Sequence, residues 1–161
     1  MSEELHYGTI LELSARIKAG ELSPVTLTEA MLNRIAALDG RLKSYATVMA
    51  DQAMVEARAA EAEIAAGRYR GKLHGIPVAV KDLCYTKGVR TMGGCAVLAD
   101  HVPAFDATVV RRFREAGAIL LGKLNLTEGA MAGYNPAFDV PENPWREGHW
   151  SGASSSGSGA A

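Results

Sequence analysis

Apolar residues recur at helical spacing through the first third of the chain. Thr9 and Glu12 form a capping-box pattern, and Ile10, Leu13 and Ile17 then fall on one face. Gly20 supplies a stop, and Ser23-Pro24 supplies a cap followed by proline at the first helical position. Leu27, Met31, Ile35 and Leu38 make the stripe of this second helix, with Gly40 as its end. A third helix is predicted from about Asp51 to Ala66, with a stripe of small alanines suited to close packing. The period changes at Gly75. Ile76-Pro77-Val78-Ala79-Val80 is short and nearly all apolar, which predicts a strand buried on both faces. Asp106 is placed to cap a helix with Val109, Val110 and Phe113 inward and Gly117 at its end. Ala118 to Gly122 predicts a second buried strand. Strand, helix, strand implies an α/β layer with a mainly parallel sheet. Asn125 and Glu128 form another capping-box pattern for a short helix through Met131, and residues 134–150 read as loop.

Composition narrows the partners more than the fold. The chain has 161 residues and a net charge of −1, enough for one cored domain and too little field to attract nucleic acid or an anionic membrane. Cys84 and Cys95 make no disulfide framework and read as small buried hydrophobes. The N-terminus, Met1-Ser2-Glu3-Glu4, has no apolar run behind it, and no stretch is long enough for a membrane helix, so a cytoplasmic setting is expected. His6, His74, His101 and His149 are scattered without metal-ligand spacing, so no metal site is expected from them. No Gly-x-Ser-x-Gly elbow is followed by acid and histidine partners, and Gly93-Gly94 is too short for a phosphate loop.

Two features could carry chemistry. Lys81 ends the first buried strand, where catalytic groups of α/β proteins gather. A lysine there either finds an anion or gives up its charge, and a neutral amine is a competent base. From the local sequence, a structural ion pair with Asp82 and a catalytic role stand side by side. The second feature is Ser151-Gly152-Ala153-Ser154-Ser155-Ser156-Gly157-Ser158-Gly159. Small residues permit close backbone approach and hydroxyls can relay a proton, yet the same composition describes a flexible linker. Asn143-Pro144-Trp145 and Trp150, just before it, are rigid or bulky and would anchor such a loop.

The segment Leu73-His74-Gly75-Ile76-Pro77-Val78-Ala79-Val80-Lys81-Asp82 and the Gly152-to-Ser158 loop together resemble the amidase-signature family. Asp106-Ala107-Thr108-Val109-Val110, Gly117 to Lys123, Asn125-Leu126-Thr127-Glu128 and Asn143-Pro144-Trp145 extend the resemblance over nearly the whole chain. It implies an α/β amidase-signature fold, a mixed central sheet covered by helices, of which only the N-terminal part is present. Residues 1–161 would be one portion of a single domain, helical over 5–66 and entering the α/β core over 73–161. It also implies amidase chemistry on a C–N bond through a Ser–cisSer–Lys triad and an acyl-enzyme, with neither metal nor organic cofactor. Lys81 matches the base and Ser154 the bridging serine that follows a cis peptide bond in relatives. Ser155 matches a hydrogen-bonding neighbour, and Met131, with Gly133 and Tyr134, falls where relatives line the acyl pocket. The nucleophilic serine and oxyanion donors would lie beyond Ala161, so residues 1–161 alone are expected to be inactive. The expected partner is a small-molecule amide, ester or carbamate, with homo-oligomerisation allowed.

Two other readings compete. Within the family stands the glutaminase component of a tRNA-dependent amidotransferase, against which Met131-Ala132-Gly133-Tyr134-Asn135-Pro136 departs from the Met-Gly-Ser-Ser-type stretch expected there. Outside it stands a non-catalytic remnant or binding module. Expressed alone, residues 1–161 are predicted to aggregate, because the strands near Val78 and Ile119 would lack sheet neighbours. A cooperative, monomeric melt would contradict this.

Overall fold

The structure is a computed structural model that describes residues 5–131 and 133–161. Among these residues the helices and strands follow in the order α1 (Ile10–Ala19), α2 (Pro24–Leu42), β1 (Tyr45–Val48), α3 (Ala50–Ala65), β2 (Pro77–Lys81), α4 (Thr108–Glu115), β3 (Ile119–Leu124) and α5 (Ser156–Ala160). Short 3-10 turns occupy Leu5–Tyr7, Ala96–Leu98 and Glu128–Ala130. The strands form a three-stranded sheet in the order β1-β3-β2. β1 is antiparallel to β3, with Thr47 opposite Lys123 and Val48 opposite Gly122. β2 and β3 run the same way: Ile119 N–H bonds to Ile76 O at 3.0 Å, and further along Asp82 N–H bonds to Leu124 O at 2.8 Å. The sheet is therefore mixed, as the resemblance implies. The antiparallel edge comes from a strand, β1, that the hydrophobic pattern did not reveal.

The chain divides into two compact units, each assembled from separate stretches. Of the described residues, one unit comprises those within 1–35, 49–78 and 112–121, and the other those within 36–48, 79–111 and 122–161. In the first, Thr9 and Glu12 form the predicted capping box, with Glu12 Oε2 accepting from Thr9 N–H at 2.8 Å. Leu13, Ile17, Leu22, Leu27 and Ile76 make the core, backed by Leu5, Met31, Ile64 and Val78. Ala53, Ala57 and Ala60 are the buried stripe of α3, so the small side chains do face inward.

Several expectations give way to packing. Ile10 and Val109 stand about half exposed rather than on the buried faces of α1 and α4. α2 continues through Gly40 to Leu42, and Lys43 (φ 52°) takes the left-handed position instead. Within β2 only Val80 is buried, whereas β3 is buried along its whole length. A central strand has neighbours on both edges, and β3 is the central strand here. The Asn125–Glu128 box is not formed. Thr127 is the cap residue of the 3-10 turn, and Asn125 Nδ2 donates to Lys43 O at 2.8 Å.

One buried histidine organises the polar side of the first unit. His74, 1% exposed, accepts Arg70 N–H on Nδ1 at 3.1 Å. The proton therefore sits on Nε2, which lies 3.3 Å from Glu63 Oε2. Arg70 holds the same carboxylate, Nη2 to Oε1 at 2.6 Å and Nε to Oε2 at 2.8 Å. Gly117 (φ 78°) presses on the imidazole, and a Cβ there would collide with His74 Cδ2. Burial pushes the His74 pKa down, Arg70 adds to this, and Glu63 opposes it.

A depressed histidine pKa means that the unfolded chain binds the extra proton more readily than the folded one. Stability is then full above the ordinary value of 6.5 and falls as pH drops below it. Denaturant midpoints measured from pH 8 down to about pH 5 should fall below about pH 6.5 in the parent protein. His74→Gln should flatten that fall. An equal slope in both proteins would contradict this role of His74.

Candidate active site: the Lys81–Ser154 contact and its surroundings

Lys81 is the last residue of β2. Its Nζ donates to Ser154 Oγ at 2.5 Å, joining positions 73 residues apart. The aspartate beside it points elsewhere. Asp82 is fully buried, and its Oδ1 lies 3.1 Å from the Nζ of Lys123 on β3, itself fully buried. Asp82 Oδ2 accepts Met92 N–H at 2.9 Å, and Lys123 Nζ donates to Thr91 Oγ1 at 2.6 Å. Burial pushes the Lys123 pKa down and Asp82 opposes that shift. The ion pair considered for Lys81 thus belongs to Lys123, and Lys81 is left to the serine.

Ser154 sits in a fixed loop rather than a flexible tail. The Ala153–Ser154 peptide bond is cis. Ser154 O accepts Thr127 N–H at 3.1 Å. Gly157 N–H bonds to Asn125 O at 2.9 Å, and Asn125 N–H bonds to Ser44 O at 2.8 Å, so three backbone segments lie in direct contact. A Cβ on Gly157 would collide with Ser44 O and come 2.6 Å from Asn125 N, both backbone atoms. The run Ser156–Ala160 is one short helix, with Ser156, Gly157 and Ala160 buried. Upstream, Asn143 ties the loop: its Nδ2 donates to Trp150 O at 2.8 Å and its Oδ1 accepts Trp145 N–H at 2.9 Å. Ser151 Oγ donates to Pro141 O at 3.2 Å.

The remaining site candidates sit on the adjoining segments. Gly133 O accepts Glu128 N–H at 3.0 Å, and Thr127 Oγ1 donates to Met131 O. The Met131 side chain is 74% exposed. Tyr134 meets Trp150 edge to face at 6.1 Å between centroids, and its hydroxyl is buried without a hydrogen-bond partner among the described residues. Ser155 is exposed, and its carbonyl accepts Gly159 N–H at 3.2 Å. The structure thus joins Lys81 to Ser154 directly and sets Met131, Gly133, Tyr134 and Ser155 on the two flanking segments.

A family model described as Amidase matches residues 26–161 of the chain. The chain belongs to the amidase family. Among its relatives, AmiD of Mycobacterium tuberculosis, a protein named as a putative amidase, is 50% identical over 152 residues, covering 94% of this chain and 32% of that protein. One component of the glutamyl-tRNA(Gln) amidotransferase of Moorella thermoacetica is 48% identical over 160 residues, covering 98% of this chain and 33% of that protein. The X-ray structure of native peptide amidase from Stenotrophomonas maltophilia superposes with a TM-score of 0.89 at 41% identity, covering 96% of this chain and 34% of that one. The chain therefore spans about a third of the length of the amidase-family relatives it matches.

The sequence did not reveal Lys123 and Thr91 as neighbours of this site. The signal was present: a lysine inside the apolar run Ile119–Leu124, and one aspartate after Lys81 for two lysines to claim. A buried ammonium requires an anion, and only the fold shows which lysine takes it.

Because the atoms around Gly157 are backbone, they cannot move aside singly. Gly157→Ala should shift the serine loop and lower stability by about 1–3 kcal/mol, with turnover in the full-length protein falling together with the melting temperature. An alanine variant with parent melting temperature and turnover would contradict the close approach described here.

Proposed function

We propose that residues 1–161 are the N-terminal portion of a single amidase-signature domain, and that the complete protein hydrolyses an amide or amide-like C–N bond by way of an acyl-enzyme. The observation that carries this reading is the Lys81–Ser154 contact, with Asp82 engaged by Lys123 instead. Lys81 is the base and Ser154 the bridge. In its neutral form the Lys81 amine accepts the Ser154 hydroxyl proton while Ser154 Oγ takes a proton from a serine nucleophile supplied by sequence beyond Ala161. That serine attacks the substrate carbonyl. The proton then returns through Ser154 to the leaving nitrogen, which departs as the neutral amine. Water, activated by the same relay, adds to the acyl carbonyl and releases the acid. Oxyanion donors, supplied by the same later stretch, stabilise each tetrahedral intermediate.

Met131, Gly133, Tyr134 and Ser155 are proposed to face the acyl group of a small-molecule amide, ester or carbamate. The exposed thioether of Met131 and the Tyr134–Trp150 pair favour an apolar or aromatic group there. The setting proposed is cytoplasmic, with no need of membrane or nucleic acid. No described helix is long and apolar enough to cross a membrane. A second reading, the glutaminase component of a tRNA-dependent amidotransferase, is supported by the 48% identity to the Moorella thermoacetica protein. Such a protein would co-purify with a second polypeptide and hydrolyse glutamine in preference to anilides.

In the protein expressed from its full reading frame, Lys81→Ala should lower kcat on an aryl amide by about three orders of magnitude, and Ser154→Ala by about a hundredfold. Folding, checked by melting temperature, should be retained in both. A Lys81→Ala enzyme with near-parent kcat would sink the relay.

A further inference from the structure

The buried Lys123–Asp82 pair stands beside the Lys81–Ser154 contact without sharing a hydrogen bond with it. Asp82 follows Lys81 directly in the chain, so its carboxylate is the nearest fixed negative charge in sequence to the amine that must lose a proton. An unpaired carboxylate there would favour the ammonium form of Lys81 and remove the base. Lys123 cancels that charge. It is held on two sides, by Asp82 Oδ1 at 3.1 Å and by Thr91 Oγ1 at 2.6 Å, with no exposure to solvent. The cost of burying this lysine is hard to explain by stability alone, since a buried pair is often no better than apolar residues of the same volume.

We propose that Lys123 is a positioning residue for the base: by neutralising Asp82 and linking it to Thr91, it keeps Lys81 free of an anion and turned toward Ser154. This inference rests on the reading of Lys81 as the base. The titratable groups that share the neighbourhood are Asp82 and Cys84, on the turn after β2, and Lys123, on β3. Burial pushes the Cys84 thiol up, Lys123 and Lys81 pull it down, and Asp82 adds to the rise, so Cys84 lies within electrostatic reach of each of the other three groups. Ser154 contributes the neutral contact from the serine loop.

The test compares Lys123→Met with the double variant Lys123→Met/Asp82→Asn in the protein expressed from its full reading frame. The single variant leaves Asp82 unpaired, whereas the double variant removes both charges and preserves the packing. Two readouts are taken across pH 6 to about pH 10. One is the acid limb of kcat/KM on an aryl amide. The other is the rate of acetylation of Lys81 Nζ by acetic anhydride, read by mass spectrometry of the Lys81 peptide. In Lys123→Met both midpoints should move up by about one pH unit, and in the double variant both should return to the parent position. A purely structural Lys123 would lower the melting temperature and leave both midpoints in place, which overturns the proposal. If Lys123→Met does not fold, the double variant decides: loss of activity with a parent-like melting temperature overturns the proposal, and retained activity with a parent-like acid limb supports it. If the acetylation midpoint moves while the kcat/KM limb does not, charge cancellation is upheld and the reading of Lys81 as the base fails separately.

Discussion

A lysine and an aspartate that water cannot reach depend on each other and on close hydrogen bonds to offset their burial, and the Lys123–Asp82 pair is such a case. Much of the second unit is arranged around it. Asp82 N–H continues the ladder to Leu124 O, Asp82 O accepts Gly93 N–H, and Asp82 Oδ2 accepts Met92 N–H. One residue thereby fixes the end of β2, the end of β3 and the return of the chain at residues 92–93. Lys81, next in the chain, inherits a defined position from these bonds, and its amine is left to meet Ser154.

The serine loop reaches that amine because its residues are small. Gly157 lies against the backbone of Ser44 and Asn125, and Gly159 lies as closely against Ser151 O. These contacts place the loop between β1, the end of β3 and the segment tied by Asn143. A Gly/Ser composition that reads as a linker in isolation is here the condition for close packing. The rigid residues before it, Asn143, Pro144 and the tryptophans, spoke against a linker, and the family resemblance carried by this loop together with residues 73–82 separated the two meanings.

Long periodic elements were legible because a single face decides them. α1 with its capping box, the alanine stripe of α3 and the buried run of β3 all emerged from spacing. β1 was not legible, since Tyr45–Val48 is four residues without alternation against a strongly apolar face. Gly40 misled because an exposed glycine costs a helix only about 1 kcal/mol relative to alanine, and α2 runs on to the buried Leu42 with Lys43 at its end. At the site, Lys81 stood out as the polar end of a buried strand and Ser154 was picked from its cluster through the family resemblance, and the fold brings their side chains together. Lys123 and Thr91 were not legible, because which of two lysines claims Asp82 is a matter of tertiary geometry that no local pattern encodes.

Whether Lys81 can act as a base depends on which lysine Asp82 holds, and a crystal structure of the full-length protein tests that most directly. It should place Lys81 Nζ within hydrogen-bond distance of Ser154 Oγ and Lys123 Nζ on the Asp82 carboxylate. A structure with Lys81 Nζ on Asp82 and Lys123 turned away would contradict the relay, because the base would then be held as an ammonium and the serine left without a proton acceptor.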